Sequence, residues 1–135
     1  MEKIDKLERI FEMQACFQND LVNRRHLDDI PMEKWIQMQT LAMLSELAEL
    51  IDEVNFKWWK NPKPVDGDRV KEELVDILHF FVSMCLNAGM SAEELYNRYI
   101  EKNQENFDRQ NGLSAKKGYE SEPASEKDHQ VSTNP

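Results

Sequence analysis

The sequence predicts an all-α protein, a bundle of four to five helices completed by homodimerisation. Three observations carry this. Apolar residues recur at helical spacing through long stretches of the chain. The 135 residues include only 4 Gly and 5 Pro, nearly all outside those stretches, which argues against a sandwich or barrel with its many tight turns. The stretch over residues 68–88 is apolar around most of its circumference. One subunit of four helices hides such a helix poorly, whereas a bundle shared by two subunits covers it.

Each element has its own signal. Ile4, Leu7, Ile10, Phe11, Phe17 and Leu21 predict a first helix over residues 3–23. The stretch NRRHLDDIP then breaks the pattern. Asp28 or Asp29 is expected to cap a second helix, with Pro31 in its first turn. That helix runs over residues 32–56 on a stripe of Ile36, Met43, Leu47, Leu50, Ile51 and Val54. It ends in KWWKNPKPVDGD, where two prolines and a glycine forbid regular structure. The third helix, residues 68–88, is expected to be buried on several sides, with Gly89 as its stop. SAEE, Ser91 to Glu94, is a capping box opening a fourth helix that runs to Gln110. NGLSAKKGY reads as a loop. A single domain over residues 1–119 and a disordered polar tail over residues 120–135 complete the expected organisation.

Composition narrows the function classes. A net charge of −9 is the wrong sign for a general nucleic-acid surface. No apolar run approaches the roughly 20 residues needed to cross a membrane. The N-terminal MEKIDKLERIF is charged from the start, unlike a secretory signal. The expectation is a cytoplasmic protein with neither nucleic-acid nor membrane partner. Cys16 and Cys85 lie in no CxxC or CxxH pattern and read as small buried hydrophobes in a reducing compartment.

The chemistry-bearing residues are two carboxylate pairs. Glu46 and Glu49 stand three apart on the second helix, and Glu73 and Asp76 three apart on the third. Each pair shares a helix face. A helical hairpin would bring all four into one small volume, where they repel unless a cation sits among them. Glu73 is followed by Ile77 and Phe80 on the same face, so an unpaired charge there is costly. Oxygen ligands of this kind suit Mg²⁺ or Mn²⁺ beside a substrate phosphate. Glu53 is a further carboxylate one turn beyond Glu49. Asp52 and Glu72 read as surface.

An ExxE on one helix followed by ExxD on the next resembles the all-α nucleoside triphosphate pyrophosphatases, which include MazG-type enzymes and dimeric dUTPases. FKWWK (Phe56 to Lys60), VDILHF (Val75 to Phe80), YIEKNQENFDRQ (Tyr99 to Gln110) and FEMQACFQ (Phe11 to Gln18) resemble segments of the dimeric dUTPases. The resemblance spans about residues 7–119. It implies that Glu46, Glu49, Glu73 and Asp76 bind two or three Mg²⁺ ions, with Mn²⁺ an alternative. It implies that Glu46 and Glu49 are catalytic, Glu49 helping to deprotonate the attacking water. His79, Gln14 and Gln18 would then read the base. The family usually shows asparagine near the position of Gln18. Trp59 falls at the position of an aromatic wall, while Trp35 reads as structural. Lys57, Lys60, Lys102, Asn106 and Arg109 are the implied phosphate ligands, the last three on one side of the fourth helix. The family's Gly-Tyr is matched by Gly118 and Tyr119 after a longer gap.

The expected activity is Mg²⁺-dependent hydrolysis of dUTP, a small-molecule nucleotide, to dUMP and pyrophosphate by a homodimer. A dCTP or broader deoxynucleotide specificity is the alternative within the family. A non-enzymatic acidic dimerisation module, its carboxylates simply solvated, is the alternative outside it.

Overall fold

In the computed structural model, which describes residues 2–121, the described residues form four helices and no strand. They are α1 (Lys6–Arg25), α2 (Met32–Glu53), α3 (Gly67–Asn87) and α4 (Ala92–Gln110). The all-α class is as predicted. Two compact units divide the chain within α4, Met1–Tyr96 and Asn97–Pro135, the second described as far as residue 121. The remainder of the expected tail, residues 122–135, lies outside the described residues.

Local chemistry sets the helix ends. The Asp5 carboxylate accepts the N–H groups of Leu7 and Glu8, at 3.0 and 3.1 Å, and so starts α1 later than the apolar pattern implied. His26, left-handed at φ 55°, closes it. The expected cap of α2 by Asp28 or Asp29 is not formed. Pro31 occupies the N-cap position with no side-chain cap bond, and the two aspartates lie upstream in a turn. The Pro31 carbonyl instead takes the Trp35 N–H at 3.1 Å. α2 stops at Glu53, short of the expected residue 56, because Asn55 turns left-handed at φ 56°. The Asn55 side chain then brackets the loop, donating to the Lys63 carbonyl at 2.7 Å and accepting the Lys63 N–H at 2.9 Å. Asp66 caps α3 through the N–H groups of Asp68 and Arg69. Beyond α3, Gly89 at φ 74° supplies the expected reversal. Ser91 Oγ accepts the Glu94 N–H at 3.1 Å, the expected cap of α4.

Side-chain pairings give the packing of the first unit. α2 runs antiparallel to α3, since Glu53 meets Arg69 at one end and Gln39 meets Asn87 at the other. α1 runs parallel to α3, with Gln14 against Ser83 and Gln18 against Asn87. A small core of Phe11, Val82, Cys85 and Ala92, flanked by Leu7, Leu86, Met90 and Leu95, sits at the C-terminal end of α3. One expectation about burial fails. Cys16 is exposed, because its side of α1 faces away from α3. As expected of a helix that one subunit hides poorly, α3 is not enclosed within one chain: Leu74, Val75, Leu78 and Phe81 are 40–53% exposed. Among the described residues no single helix is long and apolar enough to cross a membrane.

Candidate active site

The α2–α3 hairpin brings the predicted acids together. One carboxylate oxygen each from Glu46, Glu49 and Glu73 lies within 4.8 Å of the others. Asp76 stands one turn further along α3. It is outside that triplet but close enough for its charge to be felt by Glu46 and Glu73. Burial lifts the Glu46 carboxyl above the usual carboxylate range, and the charges of Glu49 and Asp76 add to the effect. Glu73 is raised in the same direction by burial first, then by Glu49, Glu46 and Asp76. Among the described residues no lysine or arginine pairs with any of the four. Glu53 is different: Arg69 meets it at 3.5 Å.

This donor set fits a divalent ion. Glu73 Oε2 is buried without a hydrogen-bond partner, an arrangement that a hard cation would relieve. Three oxygen donors from two rigid helices supply the ligand type that Mg²⁺ and Mn²⁺ prefer. Glu46, Glu49 and Glu73 would hold it, with Asp76 alongside.

Glu46 and Asp76 also line a cleft of about 580 Å³ between α1, α2 and α3, a volume in the range of small-molecule sites. Its other walls include Gln14, Gln18, Trp35, Gln39, Phe80, His79 and Ser83. The acids and the predicted base-reading residues therefore share one cavity. Gln14 is nearly buried. Its Nε2 donates to Ser83 Oγ at 2.7 Å, while its Oε1 lies 2.7 Å from His79 Nδ1. With Gln14 so oriented, His79 carries its proton on Nδ1 and leaves Nε2 as the second ring nitrogen for other work. Gln18 Nε2 donates to Asn87 Oδ1 at 2.5 Å, and Asn87 Nδ2 donates to Gln39 Oε1 at 2.8 Å.

Other predicted residues lie elsewhere. Trp59 does not line the cleft; it stacks edge-on against Phe56 and Trp58 in the loop after α2 and is 60% exposed. Trp35 supplies the cleft's tryptophan instead. Lys57 and Lys60 line a separate pocket with Asn55, Asn61 and Lys63, and Lys57 pairs with Asp52 at 3.2 Å. Lys102, Asn106 and Arg109 belong to the second unit. There Arg109 Nε donates to Glu105 at 2.9 Å and its guanidinium lies over the Tyr119 ring. Ser114 Oγ also donates to Glu105, at 2.6 Å. These contacts hold the Glu105 carboxyl below its usual range, the Ser114 hydrogen bond contributing most. Lys102 and Asn106 lie on an exposed face of α4.

Sequence reasoning missed three residues that line the cleft, Gln39, Ser83 and Trp35 in its lining role, and Asn87 behind them. A signal was present. His79, Ser83 and Asn87 follow one another at four-residue intervals on a helix otherwise dominated by apolar side chains, and so mark one polar stripe.

Comparison with known proteins agrees with this picture. A family model described as dUTPase matches residues 6–91. The dCTP pyrophosphatase of Enterobacteria phage T4 is 49% identical over 47 residues, 35% of this chain and 28% of that protein. The dCTP pyrophosphatase of Enterobacteria phage LZ5 is 43% identical over 58 residues, 43% of this chain and 34% of that protein. A DNA replication protein of phage T4 is 48% identical over 40 residues, 30% of this chain and 10% of that protein. Each matched segment spans about a third or less of the relative's length. No solved structure matches the chain.

Proposed function

Because the chain belongs to the dUTPase family, whose model covers residues 6–91, we propose that it is a divalent-metal-dependent pyrophosphohydrolase of pyrimidine deoxynucleoside triphosphates, with dUTP as its substrate. The observation that carries this is the junction of two features at Glu46. That residue belongs to the carboxylate triplet with Glu49 and Glu73, and it also lines the amide-rich cleft. A nucleotide has the matching anatomy, with charged phosphates at one end and a hydrogen-bonding base at the other.

In this reading water adds across the α–β phosphoanhydride, releasing a nucleoside monophosphate and pyrophosphate. Glu46, Glu49 and Glu73, with Asp76 alongside, would hold Mg²⁺, which would supply Lewis acidity and a more acidic water. Glu49 is the most exposed of the triplet and takes the proton from the attacking water. Gln14, Gln18 and His79 present donors and acceptors to the base edge, and Trp35 packs against its face. Lys57, Lys60, Lys102, Asn106 and Arg109 are assigned to the phosphates on the family resemblance alone.

The same reading includes a homodimer. Ile10, Met13, Phe17, Val75, Leu78 and Val82 line an apolar groove between α1 and α3, continuous with exposed Leu74 and Phe81. Apolar faces of this kind are mostly interaction surfaces, and a second copy of α3 is the simplest cover.

The test is hydrolysis of each deoxynucleoside triphosphate by the full chain with Mg²⁺, followed as phosphate released after added inorganic pyrophosphatase. Phosphate from dUTP that depends on the added pyrophosphatase is the expected result. No turnover of any pyrimidine triphosphate would remove the proposal. The two phage relatives named for dCTP favour one second reading, in which dCTP is the preferred substrate. The ratio of kcat/KM for dUTP and dCTP separates the two.

A further inference from the structure

Three side-chain amides, one from each helix of the cleft, form a continuous relay: Gln18 on α1, Asn87 on α3 and Gln39 on α2. Gln18 and Gln39 line the cleft, whereas Asn87 sits behind them as the link. The relay has a direction. Asn87 gives its oxygen to Gln18 and its NH₂ to Gln39, so Gln18 is left with an oxygen and Gln39 with an NH₂. The Gln18 oxygen is buried and has no partner, which marks that end as incomplete without a further group. Turning all three amides over keeps both internal hydrogen bonds, because each contact exchanges an oxygen for an NH₂ on both sides. Gln18 would then present NH₂, and Gln39 an oxygen. The protein alone fixes neither setting.

We infer that this relay sets the pyrimidine preference of the cleft, with Asn87 as the positioning residue that gives its two ends opposite polarity. The inference rests on the pyrimidine-nucleotide reading above. Cytosine carries an amino donor at C4 and a bare acceptor at N3. Uracil carries a carbonyl acceptor at C4 and an N–H donor at N3. A relay free to invert offers either base a matching group at C4. A relay locked with oxygens outward matches cytosine and sets a lone pair against the uracil carbonyl.

Asn87→Asp supplies that lock. A carboxylate only accepts, so Gln18 and Gln39 both turn their NH₂ groups toward it and both leave oxygens at the outer ends. Gln39→Glu arrives there by another route. The new carboxylate takes the Asn87 NH₂, the Asn87 oxygen takes the Gln18 NH₂, and the Gln18 oxygen again faces outward. The prediction is the same whichever end meets the base.

The experiment measures kcat/KM for dCTP and dUTP with the full chain and Mg²⁺, comparing the unaltered protein with each variant, and uses thermal melting to confirm folding. The dCTP to dUTP ratio is expected to rise about tenfold or more in both variants, as when a buried acceptor meets an acceptor in place of a donor. A ratio unmoved while both substrates fall in parallel would overturn the inference and leave the relay a structural tie. No turnover of either substrate by the unaltered chain would overturn the pyrophosphohydrolase reading and this inference with it. If one variant fails to melt cooperatively, Gln18→Glu carries the same expected rise and the same refutation.

Discussion

The Gln14–Ser83 contact offers the sharpest test of how the cleft is held together. Gln14 and Ser83 are 7% and 4% exposed, and their hydrogen bond is 2.7 Å long. Gln14→Leu keeps much of the side chain's volume but takes the donor from Ser83 and the acceptor from His79. His79 lies partly in solvent and can turn to water, so its loss is small. Ser83 has no such recourse, and a buried polar group stranded in this way costs about 1–3 kcal/mol. The added apolar burial of leucine offsets part of that, leaving a net loss on the order of 1–2 kcal/mol. For a domain of this size the midpoint of thermal unfolding would fall by about 4–8 °C. Ser83→Ala alone strands the Gln14 amide instead and costs a similar amount. The double variant removes both partners together, which is close to neutral. The pair should therefore be non-additive, with a coupling of about 2–4 kcal/mol, the sum of the two single losses. Urea denaturation of the metal-free protein, at one fixed protein concentration so that association does not intrude, measures all four corners of the cycle. Additive losses would refute the claim that this contact, rather than bulk packing, ties α1 to α3.

Other consequences follow from the same geometry. Glu73→Gln removes one of three clustered charges and should weaken Mg²⁺ or Mn²⁺ binding by isothermal titration at least tenfold; unchanged affinity would place the ion elsewhere. Glu46 and Glu73 have raised pKa values, so the folded, metal-free protein holds protons that the unfolded chain has already lost. Their contribution to stability is full below the ordinary glutamate pKa and is lost as pH rises through the raised folded values. Metal-free melting temperature should therefore drop across that window, Mg²⁺ should reverse the drop, and binding should release protons, measurable as a buffer-dependent heat. Val75→Lys places a charge on the exposed α1–α3 groove and should yield a monomer by light scattering, where the unaltered chain is expected to give the proposed dimer. Trp35 lines the cleft and Trp59 does not, so Trp35→Phe should abolish the change in fluorescence on nucleotide binding and Trp59→Phe should retain it. The opposite pattern would mean that the base stacks on the loop after α2.

The acid cluster was legible in the sequence because helix periodicity is enough to place it. Residues three apart share a face, and a short proline-rich connection between two amphipathic stretches forces an antiparallel return. Glu73 stood out further because its neighbours along the face are apolar. The amide relay was not legible in the same way. Gln39 and Asn87 lie 48 positions apart, and each looks like an ordinary polar residue until α2 and α3 are set in register. Trp35 and Trp59 show the complementary failure. Both are tryptophans near the ends of α2, and only the packing of α1 across the first of them makes a cleft wall. The missing cap at Asp28 and Asp29 has a narrower cause: with Pro31 at the N-cap, the aspartates fall too early in the turn to reach the first free N–H groups. Helix ends depend on which of several adjacent cap candidates the chain can reach, a choice that periodicity does not make.

α3 has to satisfy demands that a single amphipathic helix does not meet. Its first half turns Glu73 and Asp76 toward α2, its second half turns Ser83 and Asn87 toward the amides of α1 and α2, and Leu74, Val75, Leu78 and Phe81 stay on an outer, partly exposed side. On the proposed function the polar stripe runs along the cleft from the metal donors to the base-reading groups, so one rigid rod would space the two ends of a nucleotide. A carboxylate cluster and an amide relay on separate loops would need independent ordering, and small errors in their separation would cost turnover. Placing both on one helix removes that freedom. It also commits most of the helix's polar capacity to one side, leaving Leu74, Val75, Leu78 and Phe81 uncovered by the chain's own helices. On this account the proposed dimer and the proposed site have one origin, and a monomeric variant such as Val75→Lys should lose stability before it loses the carboxylate geometry, binding Mg²⁺ at low temperature while melting earlier than the unaltered protein.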